Sequence, residues 1–434
     1  MLKNIFKKFY SNECDSYSPD VLIVIDHISR EMEFASSLRD LLISCDMLVE
    51  VITTKFNLYR IPYLFRAKVV ITPWVYNNRE ADIFYSVKTP CGKGNAVVVN
   101  LHCEQIAGDA SDSFLVPKGR AIDCYHLSWS NQFSSKLLSN GVDKSKLLEF
   151  GNPKLDIYKS KRPLSKRRNV LIVGNSFHLL SDDEKMRFSA NGINIGGIGV
   201  CGIKNYYSLL NSIEPIVSNN QEINFIYRPH PSFIERELNN EDLKKLVENN
   251  KNFSLDKSGA ISTSILNSSL IFSFHSTSYL EAVACDKPFV IIRFHGVPVS
   301  DELPDLIDWP LVINAKEDIE RYVEMISRGI FVDDYKSKYD RIKETYFIND
   351  GLVSKKLLGF ISKFMVDGAY ISYKLPVHIA LKHRLLFIVK YFTNFLSLRS
   401  GLVRRVILAS KDYRIQNLAY MWGLDAFDKD YFKK

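Results

Sequence analysis

Arg228, Pro229, His230 and Pro231 stand directly behind the apolar run INFIY. The two prolines stiffen the exit from a strand and withhold the next sheet hydrogen bonds. A guanidinium and an imidazole held there could grip an anionic group, although a rigid loop with a surface histidine needs the same residues. A second cluster, His275, Ser276, Thr277, Ser278 and Glu281, follows the apolar run LIFSF. It reads as a hydroxyl-rich helix N-terminus, whose free N–H groups and partial positive charge accept phosphate. Capping by Ser276 or Ser278, with Glu281 completing a capping box from Ser278, is the plainer account, and the two coexist at one terminus.

A third cluster, His102, Cys103, Glu104 and Gln105, follows AVVVNL. A carboxylate at such a strand end could be the general base for an acceptor hydroxyl. Glu104 leads, with Asp26, Asp109 and Asp112 behind it; the last two fit a solvated surface better. Asp26 and His27 end the first apolar run, where Asp26 could equally cap a helix. His27, His102 and Gln105 would line the acceptor side, and Asn175 and Ser176, behind the run NVLIVG, the donor side. Gly196, Gly197 and Gly199 resemble a phosphate loop only weakly and read as a mobile loop over the site. Asp428 and Asp430 form the one Asp-x-Asp, far from these clusters, so neither a metal nor an organic cofactor is expected.

The elements that must carry these clusters are short apolar runs separated by helical stretches. Strands are expected at 20–26, 47–52, 68–72, 96–100 and 124–129, with helices near 29–45 and 131–139. A basic, proline-containing segment at 159–169 reads as a linker. A second series follows: strands at 169–176, 223–231, 269–274 and 289–292, and helices at 205–217, 316–328 and 333–365. The pattern predicts an α/β chain of two doubly wound, Rossmann-like domains, at 1–160 and 169–365, facing a central cleft: the GT-B architecture. In open parallel sheets ligands sit beyond the carboxyl ends of strands, which is where all three clusters fall.

A length of 434 residues suits two such cores plus an extension. Seven scattered cysteines without a CxxC pair indicate neither a disulfide framework nor a zinc site. The basic start MLKNIFKKFYSNE lacks a signal-peptide core, and no apolar run approaches the ~18–20 residues of a spanning helix. A cytoplasmic protein is expected. Residues 370–434 hold twelve basic and four acidic residues, which accounts for the whole net charge of +8. The neutral body argues against nucleic acid as a partner. The tail reads as a basic amphipathic helix for an anionic membrane surface, on the inner face of the cytoplasmic membrane. Packing of that apolar stripe on the first domain is the alternative.

The pair YRPHP and HSTSYLEAVACDKPFV resembles the His-Pro and Ser/Thr motifs of bacterial transferases that use CMP-activated sugars, among them sialyltransferases and capsule and surface-polysaccharide Kdo transferases. LHCEQ and LLEFGNPKLDIY are similar to stretches of surface carbohydrate biosynthesis proteins. The resemblance implies His230 and Ser276, Thr277 and Ser278 at the phosphate of a CMP donor, with Arg228 and Glu281 nearby. It further implies a glycan or glycolipid acceptor and a transferred ulosonic acid such as Kdo. One departure is Asn175, standing where retaining Kdo transferases of this kind carry glutamine, with no acid before Asp182. A double-displacement mechanism is therefore not implied, and direct inverting attack is the better expectation. The competing expectations are a polyol-phosphate transferase resembling the CDP-glycerol enzymes and a non-catalytic GT-B scaffold.

Overall fold

A computed structural model describes residues 18–366 except 27, 55–57, 59–60, 104–115, 161–167, 175–194, 231–236, 257–260, 275, 297–303, 307, 331–334 and 349–351. Beyond 366 it describes only 378–379, 381–382 and 385. The basic tail thus lies almost wholly outside the described residues. Among these residues no helix is long and apolar enough to cross a membrane.

Two six-stranded parallel sheets form, each from the apolar runs the sequence shows. The first holds β1 (Val21–Ile25), β2 (Val49–Thr53), β3 (Val69–Thr72), β4 (Val97–Asn100), β5 (Tyr125–Leu127) and β6 (Leu147–Leu148), in the order β2-β1-β3-β4-β5-β6. The second holds β7 (Asn169–Val173), β8 (Asn224–Arg228), β9 (Phe253–Leu255), β10 (Leu270–Ser273), β11 (Phe289–Ile292) and β12 (Val312–Ile313), in the order β12-β11-β10-β7-β8-β9. Its order is that of a dinucleotide-binding sheet, with the reversal between β7 and β10. Strands covered on both faces read as unbroken apolar runs, as VLIVI does. The period of two splits that strand between two cores. Val21, Ile23 and Ile25 pack on one face and Leu22 and Val24 on the other.

Helices cover both faces. In chain order they are α1 (Ile28–Ile43), α2 (Ile61–Leu64), α3 (Asn78–Tyr85), α4 (Asn131–Ser139), α5 (Asp156–Ser160), α6 (Ile195–Asn219), α7 (Glu241–Asn249), α8 (Ile261–Asn267), α9 (Tyr279–Ala284), α10 (Lys316–Ser327), α11 (Lys336–Thr345) and α12 (Val353–Val366). The expected glycine-rich mobile loop is instead the first turn of α6: Gly196, Gly197 and Gly199 are helical. Glycine costs a helix about 1 kcal/mol relative to alanine, so this turn is helical in spite of its glycines. The single helix expected over 333–365 is two, α11 and α12, broken where Phe347 takes φ 53°. Not anticipated at all were α2, α3, α5, α7 and α8 and the short strands β6, β9 and β12, which lack long periodic apolar patterns.

The break has a purpose in the packing. Through it the chain leaves the second domain and returns to the first, where Val353, Leu357, Phe360 and Ile361 of α12 join the core of β1, β3 and β4. The return is fixed at two points. The Asp156 carboxylate accepts the N–H groups of Val353 (3.2 Å) and Ser354 (2.6 Å), capping α12. Gly151, at φ 98°, lies so close to Phe347 that a Cβ on it would stand 2.8 Å from the Phe347 carbonyl oxygen. Sequence reading singled out GNPKLD only as a family-like stretch. In the structure it is the crossing point of the two connections between the domains.

Candidate active site

Strands β10, β7 and β8 are neighbours, so their carboxyl ends bring together Ser276, Gly174 and His230. His230 is half-buried at the exit of β8 and donates its backbone N–H to Glu237 Oε1 at 3.2 Å. Gly174 ends β7 with its N–H on the Arg228 carbonyl at 2.8 Å. The residues that follow it, Asn175 and Ser176, lie outside the described residues, as does His275.

Arg228 does not stand open as an anion grip. Its guanidinium is 2.6 Å from Asp256 Oδ2 and 3.2 Å from the Ser264 hydroxyl, and Ser264 and Asp256 are also bonded to each other. An arginine already neutralised by a carboxylate offers a ligand little net charge, whatever its distance from it. The expected capping box at the second cluster does not form either. Ser278 makes no side-chain cap bond; its N–H and its hydroxyl both meet Ser276 Oγ, at 3.2 and 3.1 Å. Ser278 is already helical, at φ −61° and ψ −10°, so its side chain cannot reach forward as a cap. Ser276 is half-buried and Thr277 exposed.

Glu281 points back toward the first domain. Burial pushes its carboxyl up to about 7, against the pull of Lys154 and Arg228. Lys154, from the GNPKLD segment, donates to the Cys103 carbonyl at 3.4 Å. The Lys154 ammonium thus meets the exit of β4 and also acts on the charge of Glu281 in α9. Nearby, Glu33 of α1 accepts the Ser262 hydroxyl of α8 across the two domains. Neither Lys154 nor Glu33 was singled out from the sequence, because a lone lysine and a lone helix acid carry no local signal.

On the first-domain side, Asp26 ends β1 and accepts the Thr54 hydroxyl at 2.6 Å, while its N–H is taken by the buried Glu31 at 2.7 Å. It therefore ties β1 to β2 rather than standing open. Glu104, Gln105, Asp109, Asp112 and His27 lie outside the described residues. His102 is fully buried with φ 50°, a left-handed conformation that costs a non-glycine residue roughly 1–3 kcal/mol. Asn100 fixes it, bonding the Val75 carbonyl (2.9 Å) and the His102 N–H (3.1 Å).

The His102 ring meets a second buried histidine that sequence reading missed. His102 Nε2 is 2.9 Å from His126 Nδ1, and His126 Nε2 is 3.2 Å from the Ile122 carbonyl. A carbonyl only accepts, so the His126 Nε2 carries the proton, its Nδ1 accepts, and His102 Nε2 donates. That leaves the His102 Nδ1 lone pair with no hydrogen-bond partner among the described residues. Burial, then His126, holds His102 well below its usual value, and burial lowers His126 to about 4. Both are neutral at pH 7.

A pH dependence of stability follows. The unfolded histidine binds its proton near 6.5, whereas folded His126 refuses it until about 4. Stability is therefore fully present above about pH 6.5 and falls as pH drops from there toward 4. At 1.36 kcal/mol per pH unit, His126 alone should remove about 3 kcal/mol by pH 4. The urea midpoint measured from pH 7 to pH 4 should fall accordingly, and His126→Asn should flatten that fall.

No protein-family model matches the chain, and no curated protein matches it in sequence. Solved structures do match it in shape. The wall teichoic acid polymerase TagF, in a CDPG soak, superposes with a TM-score of 0.52 at 11% identity, over 85% of this chain and 96% of that one. A variant of the same polymerase gives 0.54 at 10% identity, again over 85% and 96%. The fold is GT-B. A complex of S. aureus MnaA with UDP is similar at a TM-score of 0.49 and 12% identity, over 83% of this chain and all of that one. In GT-B terms, the strand ends that carry His230 and Ser276 belong to the second domain, and those that carry Asp26 and His102 to the first. Among the described residues no group of three or more His, Cys, Asp or Glu is placed to hold a metal ion.

Proposed function

We propose that the protein is a glycosyltransferase-type enzyme that moves a group from a cytidine-nucleotide donor to a surface-glycan acceptor. The observation that supports this best is the convergence of β7, β8 and β10 at the sheet reversal. Doubly wound sheets take ligands beyond the carboxyl ends of strands at such a reversal, which supports His230 and the Ser276–Thr277–Ser278 turn as donor contacts. In this reading His230 contacts the donor phosphate and stabilises charge on the departing nucleotide. Glu104, directly after Cys103 in sequence, takes the proton of the acceptor hydroxyl, with His102 and Gln105 on the acceptor side. The part-buried ion pair of Arg228 with Asp256 favours a supporting role for it over direct contact with the donor. The resemblance of the motifs favours a CMP-activated ulosonic acid such as Kdo.

A second reading, transfer of a polyol phosphate from a CDP-linked donor, draws support from the shape shared with TagF, which was soaked with CDPG. The basic tail would bring either enzyme to an anionic membrane that carries a lipid-linked acceptor.

A thermal-shift panel tests the proposal, because a ligand that binds only the folded state raises its stability. CMP and CDP should raise the melting temperature more than UDP or GDP do. Hydrolysis of CMP-Kdo against CDP-glycerol then separates the two donors. Equal shifts with every nucleotide would remove the cytidine assignment. No shift with any would leave a non-catalytic GT-B scaffold.

A further inference from the structure

Glu237 is a fully buried carboxyl that the proposed chemistry does not use. It forms no ion pair among the described residues. Its Oε1 accepts the His230 backbone N–H at 3.2 Å, and its Oε2 is 2.7 Å from the Tyr227 hydroxyl. Behind Tyr227 stands a second buried tyrosine, Tyr206, its ring edge-on to that of Tyr227 with centroids 6.5 Å apart. The fit around the carboxyl is close. A Cβ added to Gly174 would lie 2.7 Å from both Glu237 Oε2 and the Tyr227 hydroxyl oxygen. Glycine at the end of β7 is thus what leaves room for this acid between the exits of β7 and β8.

We infer that Glu237 is a positioning residue for donor binding, fixing the backbone at His230 and through it the place of the imidazole. The inference rests on the reading of His230 as a donor contact. The prolines that flank His230 make the arrangement necessary. Pro229 and Pro231 have no N–H, so His230 supplies the one backbone donor of the triplet, and the buried Glu237 carboxyl accepts it. An uncharged acid suits the place, and burial pushes Glu237 up to about 8, with the Tyr227 hydroxyl and the His230 N–H pulling it back. Tyr227 donates its hydroxyl to one carboxyl oxygen and His230 its N–H to the other, so Glu237 accepts on both sides. Glutamine keeps a carbonyl oxygen for the His230 N–H, and leucine keeps the volume but neither bond.

Four variants test this at pH 7, with CMP affinity read by calorimetry and folding stability by urea. Glu237→Leu should weaken CMP binding about tenfold or more, whereas Glu237→Gln should stay within about threefold of wild type. Tyr227→Phe removes only the other arm of the carboxyl, so it should lower stability and still bind CMP within about threefold. His230→Ala should weaken CMP at least as much as Glu237→Leu. Wild-type affinity in the leucine variant overturns the inference and leaves the role of His230 standing. Equal weakening in the glutamine or the phenylalanine variant also overturns it, since fold or volume would then be the cause. Failure of His230→Ala to weaken CMP, or of wild type to bind it, sinks the reading of His230 and this inference with it. Should the leucine variant not fold, hydrogen exchange decides. The His230 amide should be protected in wild type and in Glu237→Gln, and exchange at the rate of an open amide would overturn the inference.

Discussion

His230→Ala should lower kcat/KM by about 10²-fold or more and raise KM for the nucleotide donor at the same time. A group that meets the leaving phosphate in both the ground and the transition state is lost from both, so binding and turnover fall together. The alanine leaves the turn itself in place, because the bond to Glu237 is made by the backbone. Stability should therefore change little. Glu104→Gln provides the contrast: a lost general base cuts kcat by about 10²-fold and leaves donor KM near wild type. Steady-state kinetics with the donor identified by the nucleotide panel would check both. Unchanged KM in His230→Ala would move the phosphate contact to the turn formed by Ser276, Thr277 and Ser278. Wild-type kcat in Glu104→Gln would remove Glu104 as the base.

Gly151→Ala should be among the most destabilising single substitutions in the chain, with a loss of at least about 2 kcal/mol. Two costs combine. The backbone is left-handed at φ 98°, which penalises any side chain, and the new Cβ would stand 2.8 Å from a backbone carbonyl that cannot rotate away. Gly141→Ala is the internal control, because Gly141 has a similar φ of 92° but nothing within 4 Å of a built Cβ. The urea midpoint of Gly141→Ala should report the conformational penalty alone, roughly 1 kcal/mol. The difference between the two variants is then the cost of parting the crossing strands of chain at Phe347. Equal midpoints would mean that the crossing gives way without resistance.

The sequence made the sheets legible because parallel strands buried on both faces must be mostly apolar, as VLIVI and FVII are throughout. The same rule located the strand ends, and hence His102, His230 and Ser276. Their partners were not legible. His126 sits inside a three-residue strand, and Glu237 follows a proline-rich turn as one acid among several. Each gains its meaning from a neighbour 24 or 7 residues away that only the fold supplies. Arg228 shows the opposite failure. Its position at a strand end suggested an anion site, but Asp256, 28 residues on, had already claimed its charge. Backbone devices were equally hidden. A glycine in GNP reads as a turn, and nothing local shows that a second pass of the chain presses against it.

That second pass bears on how the protein is made. The first domain's core includes Val353, Leu357, Phe360 and Ile361, while its own strands end at Leu148. A nascent chain emerging from the ribosome therefore presents an unfinished first domain for some 200 residues of further synthesis, roughly 10–40 s at the usual elongation rate of 5–20 residues/s. During that interval the apolar side chains that α12 will cover are open to chaperones and to neighbouring chains. A ribosome stalled before codon 353 would release a species whose second domain can be complete and whose first cannot.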